Sequence, residues 1–480
     1  MNISLEKLSY NDIKSTFLFV YGSDVAARAL PFKREEVAYL AERRKKDAGS
    51  LVIFNRFPEK IYVQNFDAEL ESGEAQEKLR RAAAELQQML VKEGVEKVVV
   101  GGAGIIPEEL MAFLEGLHMS NYRFDKYKNK KEVKLTDVVV DARIVDKEPL
   151  EENVRLWRRI DLIRDWVNEP VMYLNAPQFA DILKKEAESV EGVTCTVLGQ
   201  KEIEKKGMGG LLAVNRGSVD EARFVKLEYK PANRSNSKPI ALVGKGVMYD
   251  TGGLNIKPND YMTEMKSDMA GAATMATVLL AAAENKLPVW LRAYLPLTDN
   301  RPGGNAYAAD DILRMMDGTT VEITNTDAEG RLILADAIAM ADSEKPELII
   351  DAATLTGAAV RAIGTGAIAA MQQGAERQLN LMKGMGKLVY ERVAEFPFWK
   401  EYDEPLKSDV ADIKNCDLGG KAGAITAGRF LAHFAHCPYI HLDIAGVAFY
   451  SKRESFYGVG ASGYGLRLLY AFMQVYGEAK

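Results

Sequence analysis

Residues 239–244 read PIALVG, a continuous apolar run that ends at a glycine and is followed directly by Lys245. Similar runs come later, namely PVWLRAYLPL (288–297), VEITN (321–325), ELIIDAATL (347–355) and YIHLDIAGV (439–447). Continuous rather than alternating apolarity is typical of strands that are buried on both faces. Because helical or glycine-rich segments separate the runs, the sequence predicts a mixed, largely parallel sheet flanked by helices, an α/β fold.

The first part of the chain has a different pattern. Runs of β type such as STFLFVYG (15–22) and EKVVVGG (96–102) alternate with a helix-like segment at 74–94, which predicts a smaller mixed α/β domain. Residues 150–169 place apolar side chains among many charges, as in an amphipathic helix, and Pro170 ends it. We therefore expect an N-terminal domain at 1–145, a linker helix at 146–170 and a C-terminal domain at 171–480.

Composition excludes several classes of protein. The 480 residues are 47% hydrophobic and 27% charged, and the formal net charge of −6 gives no global attraction to nucleic acid or anionic lipid. No basic stretch with a following apolar segment opens the chain, and no apolar run approaches the roughly 20 residues of a membrane helix. The three cysteines match no disulfide or zinc pattern, so we expect reduced thiols and a cytoplasmic protein.

Four acidic residues follow the apolar runs. Asp250 lies in a glycine-rich loop, Asp268 precedes an alanine-rich helix, and Asp327 and Glu329 follow VEITN. Asp268 alone could be a helix cap and Asp327 alone a turn residue. Two residues apart in an extended loop, Asp327 and Glu329 would point to the same side. Since ligands gather beyond the carboxyl ends of parallel strands, we expect the four carboxylates in one cleft.

Clustered carboxylates repel one another, and their ionisation requires compensating cations. Two divalent ions would supply the charge, and an oxygen-rich site without a nearby histidine suits manganese, magnesium or zinc. Lys245 could add a nitrogen ligand, because cations favour its neutral form. Lys257 could stabilise a polarised carbonyl oxygen, and Arg331 could hold a planar anion.

Three segments together resemble a known family. VGKGVMYDTGGLNIKP (243–258), MKSDMAGAA (265–273) and NTDAEGRL (325–332) closely resemble the signature segments of the leucyl (cytosol) aminopeptidase family. DAATLTGA (351–358), residues 408–431 and HLDIAG (441–446) look like further family elements, so the resemblance covers most of residues 160–450. Departures are few: Thr251 stands where many members have serine, and Tyr439 and Ile440 stand where a tryptophan is common.

The resemblance implies a role for each matching residue. It implies five metal ligands, namely Lys245, Asp250, Asp268, Asp327 and Glu329. Of these, Asp250 and Glu329 would bridge the two ions, Lys245 and Asp268 would bind the tighter one, and Asp327 would serve the more exchangeable one. Lys257 and Arg331 match two non-ligand catalytic residues, and Arg331 is implied to hold a bicarbonate ion that acts as base. Substrate contacts are implied for Lys257, Met265, Thr354, Leu355 and Gly357.

The implied activity is the release of N-terminal amino acids, leucine and others, from peptides with a free N-terminus. A water or hydroxide between two ions, manganese or zinc with cobalt or magnesium possible, is the expected nucleophile. The family is hexameric, which implies a homohexamer here.

Two other functions stay open on sequence grounds. Basic runs at 42–46 and 126–134 could bind nucleic acid, although such runs are usually solvated faces. A metal-dependent dipeptidase of narrow preference would carry the same cluster of acids.

Overall fold

The computed structural model describes residues 1–10, 15–22, 32–56, 59–66 and 71–478. The chain divides into two compact units. The first comprises Met1–Asp161, Leu388–Tyr390 and Lys452–Val459, and the second comprises Leu162–Lys387, Glu391–Ser451 and Gly460–Lys480. The division falls inside the helix that the sequence predicts at 146–170, which is observed at Lys147–Asn168 and is followed by Pro170. The expected domain limits stay predictions.

The described residues of the smaller unit form a mixed sheet and three helices. Its strands are β1 (Asn2–Glu6), β2 (Phe17–Tyr21), β3 (Leu51–Arg56), β4 (Glu59–Asn65), β5 (Lys97–Ala103) and β6 (Asp137–Asp141), and the helices are α1 (Arg34–Lys46), α2 (Ser72–Lys92) and α3 (Pro107–Asn121), with α4 (Lys147–Asn168) following. Within the described residues the strand order is β1-β6-β5-β2-β4-β3, and β3 alone pairs antiparallel. The predicted N-terminal α/β arrangement is confirmed.

The rest of the chain alternates strands and helices. The strands are β7 (Val193–Leu198), β8 (Arg223–Tyr229), β9 (Ile240–Gly244), β10 (Gly246–Asp250), β11 (Leu291–Asn300), β12 (Ile312–Arg314), β13 (Thr320–Glu322), β14 (Leu348–Ala353), β15 (Ile368–Gln373), β16 (Val393–Glu395), β17 (Ile413–Lys414), β18 (Tyr439–Asp443), β19 (Phe449–Glu454) and β20 (Gly458–Ala461). The helices are α5 (Ala176–Glu188), α6 (Gln200–Lys205), α7 (Gly209–Asn215), α8 (Ala270–Glu284), α9 (Glu329–Ser343), α10 (Gly357–Ile363), α11 (Glu376–Leu388), α12 (Gly423–Ala432) and α13 (Leu466–Glu478).

Nine of these strands form the main sheet of the larger unit. Its order is β16-β15-β18-β14-β9-β11-β8-β7, with β10 paired to β11. The central neighbours β18, β14, β9 and β11 run parallel, whereas β8 pairs antiparallel with β11 and β15 with β18. All residues of β9, β14 and β18 are buried. The predicted mixed, largely parallel sheet is confirmed.

Helices cover both faces of the central strands. Ala241 and Val243 share a hydrophobic core with residues of α7 and α9. Because side chains alternate along a strand, Gly244 faces the opposite way. A Cβ atom there would lie 2.6 Å from the Cα atom of Ala272 in α8, so glycine permits this close approach. The apolar runs are therefore continuous because helices pack on each face.

One expected strand belongs elsewhere. The run VEITN contributes β13, which lies in a separate three-stranded sheet with β12 and β17 and not in the main sheet. Its backbone partners are residues 312–314 and 413–414, and its length of three residues leaves no signal for which sheet it joins. Across the described chain, no helix combines the length and apolarity needed to cross a membrane.

Candidate metal centre

Lys245 and Asp250 are placed by neighbouring strands. Lys245 joins β9 to β10, and its backbone is fixed on both sides, since its N–H donates to the Ala352 carbonyl (3.1 Å) and its carbonyl accepts from Ala272 N–H (2.8 Å). Asp250 is the last residue of β10, and Thr354 follows β14 directly. Because these strands are parallel to one another or to β11, the three residues meet at the carboxyl edge of the sheet.

The other three acids lie at helix starts. Asp268 is in a 3₁₀ helix, Met265–Met269, that leads into α8, and Glu329 is the first residue of α9. Asp327 occupies the turn before α9, so the expected extended loop from Asp327 to Glu329 is wrong, because the chain already coils into the helix there. Oxygen atoms of Asp250, Asp327 and Glu329 nevertheless lie within 4.8 Å of one another.

Lys245 is the buried centre of the cluster, with 3% of its surface exposed. Its Nζ lies 2.8 Å from both carboxylate oxygens of Asp268 and 3.0 Å from Oε1 of Glu329, and it donates to the Thr354 carbonyl at 3.0 Å. Burial alone would disfavour the ammonium, but the nearby carboxylates outweigh it and hold the pKa of Lys245 above its usual value. Without added cations Lys245 is therefore a charged counter-ion.

Lys257 bridges the other two acids. Its Nζ lies 2.7 Å from Oδ2 of Asp250 and 2.6 Å from Oδ1 of Asp327. Burial again opposes the charge, and the carboxylates again keep the pKa of Lys257 above its usual value. The two lysines thus divide the four acids between them, and the two ammonium groups would leave a net charge of −2 if all four carboxylates were ionised.

A glycine next to Glu329 makes this packing possible. A Cβ atom on Gly330 would lie 2.3 Å from Cε and 2.7 Å from Nζ of Lys245. Glycine there lets the start of α9 approach the lysine side chain.

The acids differ in ionisation. Burial, with the charge of Asp250, raises the pKa of Glu329 to about 8 despite the adjacent Lys245. The pKa of Asp268 rises to about 6, again through burial first, and that of Asp327 is also raised. The cluster holds more negative charge than its lysines neutralise.

Several buried oxygens of the cluster accept no hydrogen bond. They are Oδ2 of Asp268, Oδ1 of Asp327 and both carboxylate oxygens of Glu329, although a lysine Nζ lies near three of the four. Buried carboxylate oxygens without donors are costly unless a cation satisfies them. Oxygen ligands in a shared cluster are what divalent ions prefer, so the residues present fit a metal centre.

The cluster opens into a cavity of about 470 Å³. As expected, Met265, Thr354, Leu355 and Gly357 line it together with both lysines and all four acids. Sequence reasoning missed other lining residues, which are Pro258, Tyr261, Ser267, Thr356, Val360, Arg361, Ala445, Ala448 and Phe449. Those near Thr354 could have been found by extending the ATLTG segment along its helix.

Arg331 lies behind the cluster and is not among the residues that line this cavity. It is buried, and its Nη1 donates to the Asn415 carbonyl at 2.6 Å. Its Nε donates no hydrogen bond to the described residues. Burial lowers the pKa of Arg331, and the charges of Glu329 and Asp443 oppose that effect. The guanidinium therefore keeps one buried donor available for an anion.

Further residues hold the ligands and the cavity wall in place. Asn300 Nδ2 and Gly252 N–H donate to Oδ1 of Asp250 at 2.9 and 2.8 Å. Asp443, at the end of β18, accepts from Leu355 N–H (3.2 Å) and from the Thr356 hydroxyl (2.7 Å), which fixes the cavity wall.

The histidines lie outside the cluster. His441 is fully buried, and its Nδ1 lies 2.8 Å from Oδ1 of Asp351. His433 and His436 are exposed and line a second cavity, of about 500 Å³, with Arg429, which donates twice to Asp403 at 2.6 Å. Within the described parts of the chain, metal-ligating side chains gather in threes only at the acidic cluster. The chemistry therefore points to the first cavity.

A buried cluster of acids and lysines beside a cavity, at the carboxyl edge of an α/β sheet, is a site of the kind that metal-dependent enzymes use. Residues 161–470 match the model of the cytosol aminopeptidase family, catalytic domain. A probable cytosol aminopeptidase of Syntrophotalea carbinolica is 40% identical over 82% of this chain and 81% of its own length. One of Aquifex aeolicus is 37% identical over 95% and 94%. The chain belongs to the cytosol aminopeptidase family.

A solved structure agrees with this placement. The bottromycin maturation enzyme BotP in complex with Mn aligns over 96% of this chain and 99% of its own, with a TM-score of 0.83 and 29% identity. The protein is a metal-dependent aminopeptidase, a hydrolase that acts on peptides.

Proposed function

We propose that the cluster holds two divalent cations and that the enzyme removes N-terminal residues, leucine-type and others, from peptides. The ligands would be Lys245, Asp250, Asp268, Asp327 and Glu329, with Asp250 and Glu329 shared, Lys245 and Asp268 on the tighter ion and Asp327 on the more exchangeable one. The observation that carries this proposal is the convergence of Asp250, Asp327 and Glu329, each of which offers a carboxylate oxygen within 4.8 Å of the others. The excess of acids over lysines in the cluster supports the same conclusion.

We favour manganese or zinc as the two bound divalent ions, and cobalt and magnesium are alternatives. The manganese complex of the structural relative supports manganese. When bound, such ions lower the pKa of water and polarise a peptide carbonyl. Lys245 then has to give up its proton to act as a nitrogen ligand, and the added positive charge favours that loss.

Lys257 and Arg331 would act without binding metal. Lys257 lines the cavity and carries an ammonium group beside two acids, so it can stabilise negative charge on the carbonyl oxygen of a peptide. Arg331 would hold bicarbonate as a base through its free Nε donor.

The substrate would lie along the wall formed by Thr354, Leu355 and Gly357, with Met265 beside its first side chain. Met265, Val360 and Phe449 offer an apolar surface that suits an aliphatic residue.

The test is activity against leucyl p-nitroanilide after chelation and reloading with each metal. We expect release of leucine only from the loaded protein, with Glu329→Ala losing bound metal and activity together. Asp336→Ala is a control, because Asp336 is also a buried acid but accepts from the backbone of Leu211 and Met316. That variant should lose stability and keep its metal stoichiometry. Full activity of Glu329→Ala in metal-free buffer would contradict the proposal.

Assembly and location extend the proposal. We propose a homohexamer in the cytoplasm, supported by the family and by the relatives' description as cytosol aminopeptidases. Light scattering should give about six times the chain mass of 53.1 kDa. Nucleic-acid binding stays an alternative that nothing favours, and an affinity without steep salt dependence would dismiss it.

A further inference from the structure

The cavity beside the cluster carries a third cation, Arg361. It lies on the short helix α10, and its side chain is exposed while it lines the cavity. A Cβ atom on Gly357 would lie 3.3 Å from Nη1 of Arg361, so the guanidinium folds back over the residue that begins the helix. Gly357 also lines the cavity, which places the charged group at the cavity wall.

Arg361 differs from the other cavity cations in its partners. Lys245 and Lys257 each contact two carboxylates within 3.0 Å. Among the described residues, Arg361 has no carboxylate within ion-pair distance. The protein's own acids therefore leave its charge uncompensated.

The surroundings of Arg361 suit a ligand with an apolar part and a carboxylate. Val360, Ala448 and Phe449 supply apolar surface in the same cavity. An arginine presents a planar set of donors that matches the two oxygens of a carboxylate. The proposed cations compensate the acids of the cluster, whereas the charge of Arg361 has no carboxylate of the protein beside it and stays available to a substrate carboxylate.

We propose that Arg361 determines specificity by binding a carboxylate of the peptide substrate, which makes acidic peptides better substrates than their neutral isosteres. This inference rests on the proposed aminopeptidase function. The carboxylate can come from an acidic side chain or from the C-terminus of a dipeptide, and both present the same chemistry to the guanidinium.

The experiment compares three pairs of substrates that differ only in this charge. They are Leu-Gly with Leu-Gly amide, Leu-Asp amide with Leu-Asn amide, and glutamyl with glutaminyl p-nitroanilide. For each pair the ratio of kcat/KM, charged over neutral, is measured for the wild type, for Arg361→Gln and for Arg361→Lys. We expect Arg361→Gln to lower the ratio about fivefold in at least one pair, which identifies the carboxylate, since one charged contact at an exposed site has about that effect.

Arg361→Lys should restore part of the ratio, because it keeps the charge and loses the planar fork. Raising the salt concentration should lower the wild-type ratio toward that of Arg361→Gln. Lys387→Gln, which removes an exposed charge outside the cavity lining, is the matched control and should leave all three ratios unchanged. Ratios that differ by less than twofold between wild type and Arg361→Gln in every pair would overturn the inference.

Calorimetric Kd values for Leu-Gly and Leu-Gly amide, and for the Leu-Asp and Leu-Asn amides, give the same ratios without turnover. A ratio of Kd values, charged over neutral, that rises in Arg361→Gln supports the contact even if no peptide is cleaved. If the metal-loaded wild type turns over none of the neutral substrates, the proposed function is contradicted, whereas the inference about Arg361 is not.

Discussion

Replacing Glu329 by glutamine should stabilise the metal-free protein while it disables the enzyme. Glu329 is 1% exposed, both of its carboxylate oxygens lack a hydrogen bond, and its pKa is raised from 4.5 to about 8. Between these two values the folded protein holds a proton that the unfolded chain releases. The stability of the chelated wild type therefore falls as pH rises from 4.5 to 8, and a glutamine at this position removes that loss.

The size of the effect follows from the shift. Each pKa unit corresponds to about 1.4 kcal/mol, so the raised pKa of Glu329 lowers the stability of the metal-free fold, relative to a neutral side chain there, by on the order of 4 kcal/mol at pH 8 and by about 1 kcal/mol at pH 5. Burial of the glutamine amide offsets part of the gain, which leaves a net stabilisation of about 2 kcal/mol at pH 8. That corresponds to a rise in Tm of roughly 4 °C.

Thermal unfolding of chelated protein at pH 5 and pH 8 measures this directly. Glu329→Gln should have the higher Tm at pH 8, and the difference from wild type should shrink at pH 5. After metal is added the order should reverse, because bound cations stabilise the wild type more. Asp141→Asn is the control: this buried acid accepts from Arg143 at 2.6 Å, and although burial opposes it, the guanidinium holds the pKa of Asp141 below its usual value, so its replacement should lower Tm with and without metal. A chelated Glu329→Gln protein no more stable than wild type at pH 8 would refute the reasoning.

Three further predictions concern the residues around the cluster. Lys257→Met should lower kcat about 100-fold with bound metal retained on elemental analysis, since one oxyanion contact has about that effect. Gly330→Ala should lower the free energy of unfolding by about 1–3 kcal/mol in urea titrations and weaken metal binding, because its Cβ would overlap Cε of Lys245. His441→Ala should lower the free energy of unfolding by about 3 kcal/mol whether or not metal is present, because Asp351 is left as an uncompensated buried charge. A variant as stable as the wild type would contradict this role of His441 as the partner of Asp351.

Much of the fold could be predicted because burial on both faces leaves a local signature. The runs that become β9, β14 and β18 are apolar at nearly every position, and the central sheet follows from them. The prediction that β13 belongs to the main sheet was wrong for a physical reason. The strand is three residues long, and its place depends on partners about 10 and 90 residues away. Short pairings of this kind leave no periodic signal.

The acids and lysines of the site could be predicted because each one adjoins a strand end or a helix start. Asn300 could not, since it reaches the site only through the pairing of β10 with β11, and Asp443, although it lies in HLDIAG, gives no sign in the sequence of the residues that it contacts. Arg361 was missed for another reason. Exposed arginines on short helices are common, and only the cavity distinguishes this one.

What no local pattern predicts is the charge state. Asp250 and Glu329 are both buried acids in segments that resemble the family's signature segments. Yet Oδ1 of Asp250 accepts two hydrogen bonds, whereas Glu329 accepts none among the described residues. The difference arises because Asp250 ends a strand beside Asn300, while Glu329 begins a helix that faces Lys245. An acid without donors gains most from a cation. Glu329 should therefore contribute more to metal affinity than Asp250 does. Comparison of the single variants Asp250→Asn and Glu329→Gln tests this, and Glu329→Gln, which replaces the acid with fewer hydrogen bonds, should lose more metal.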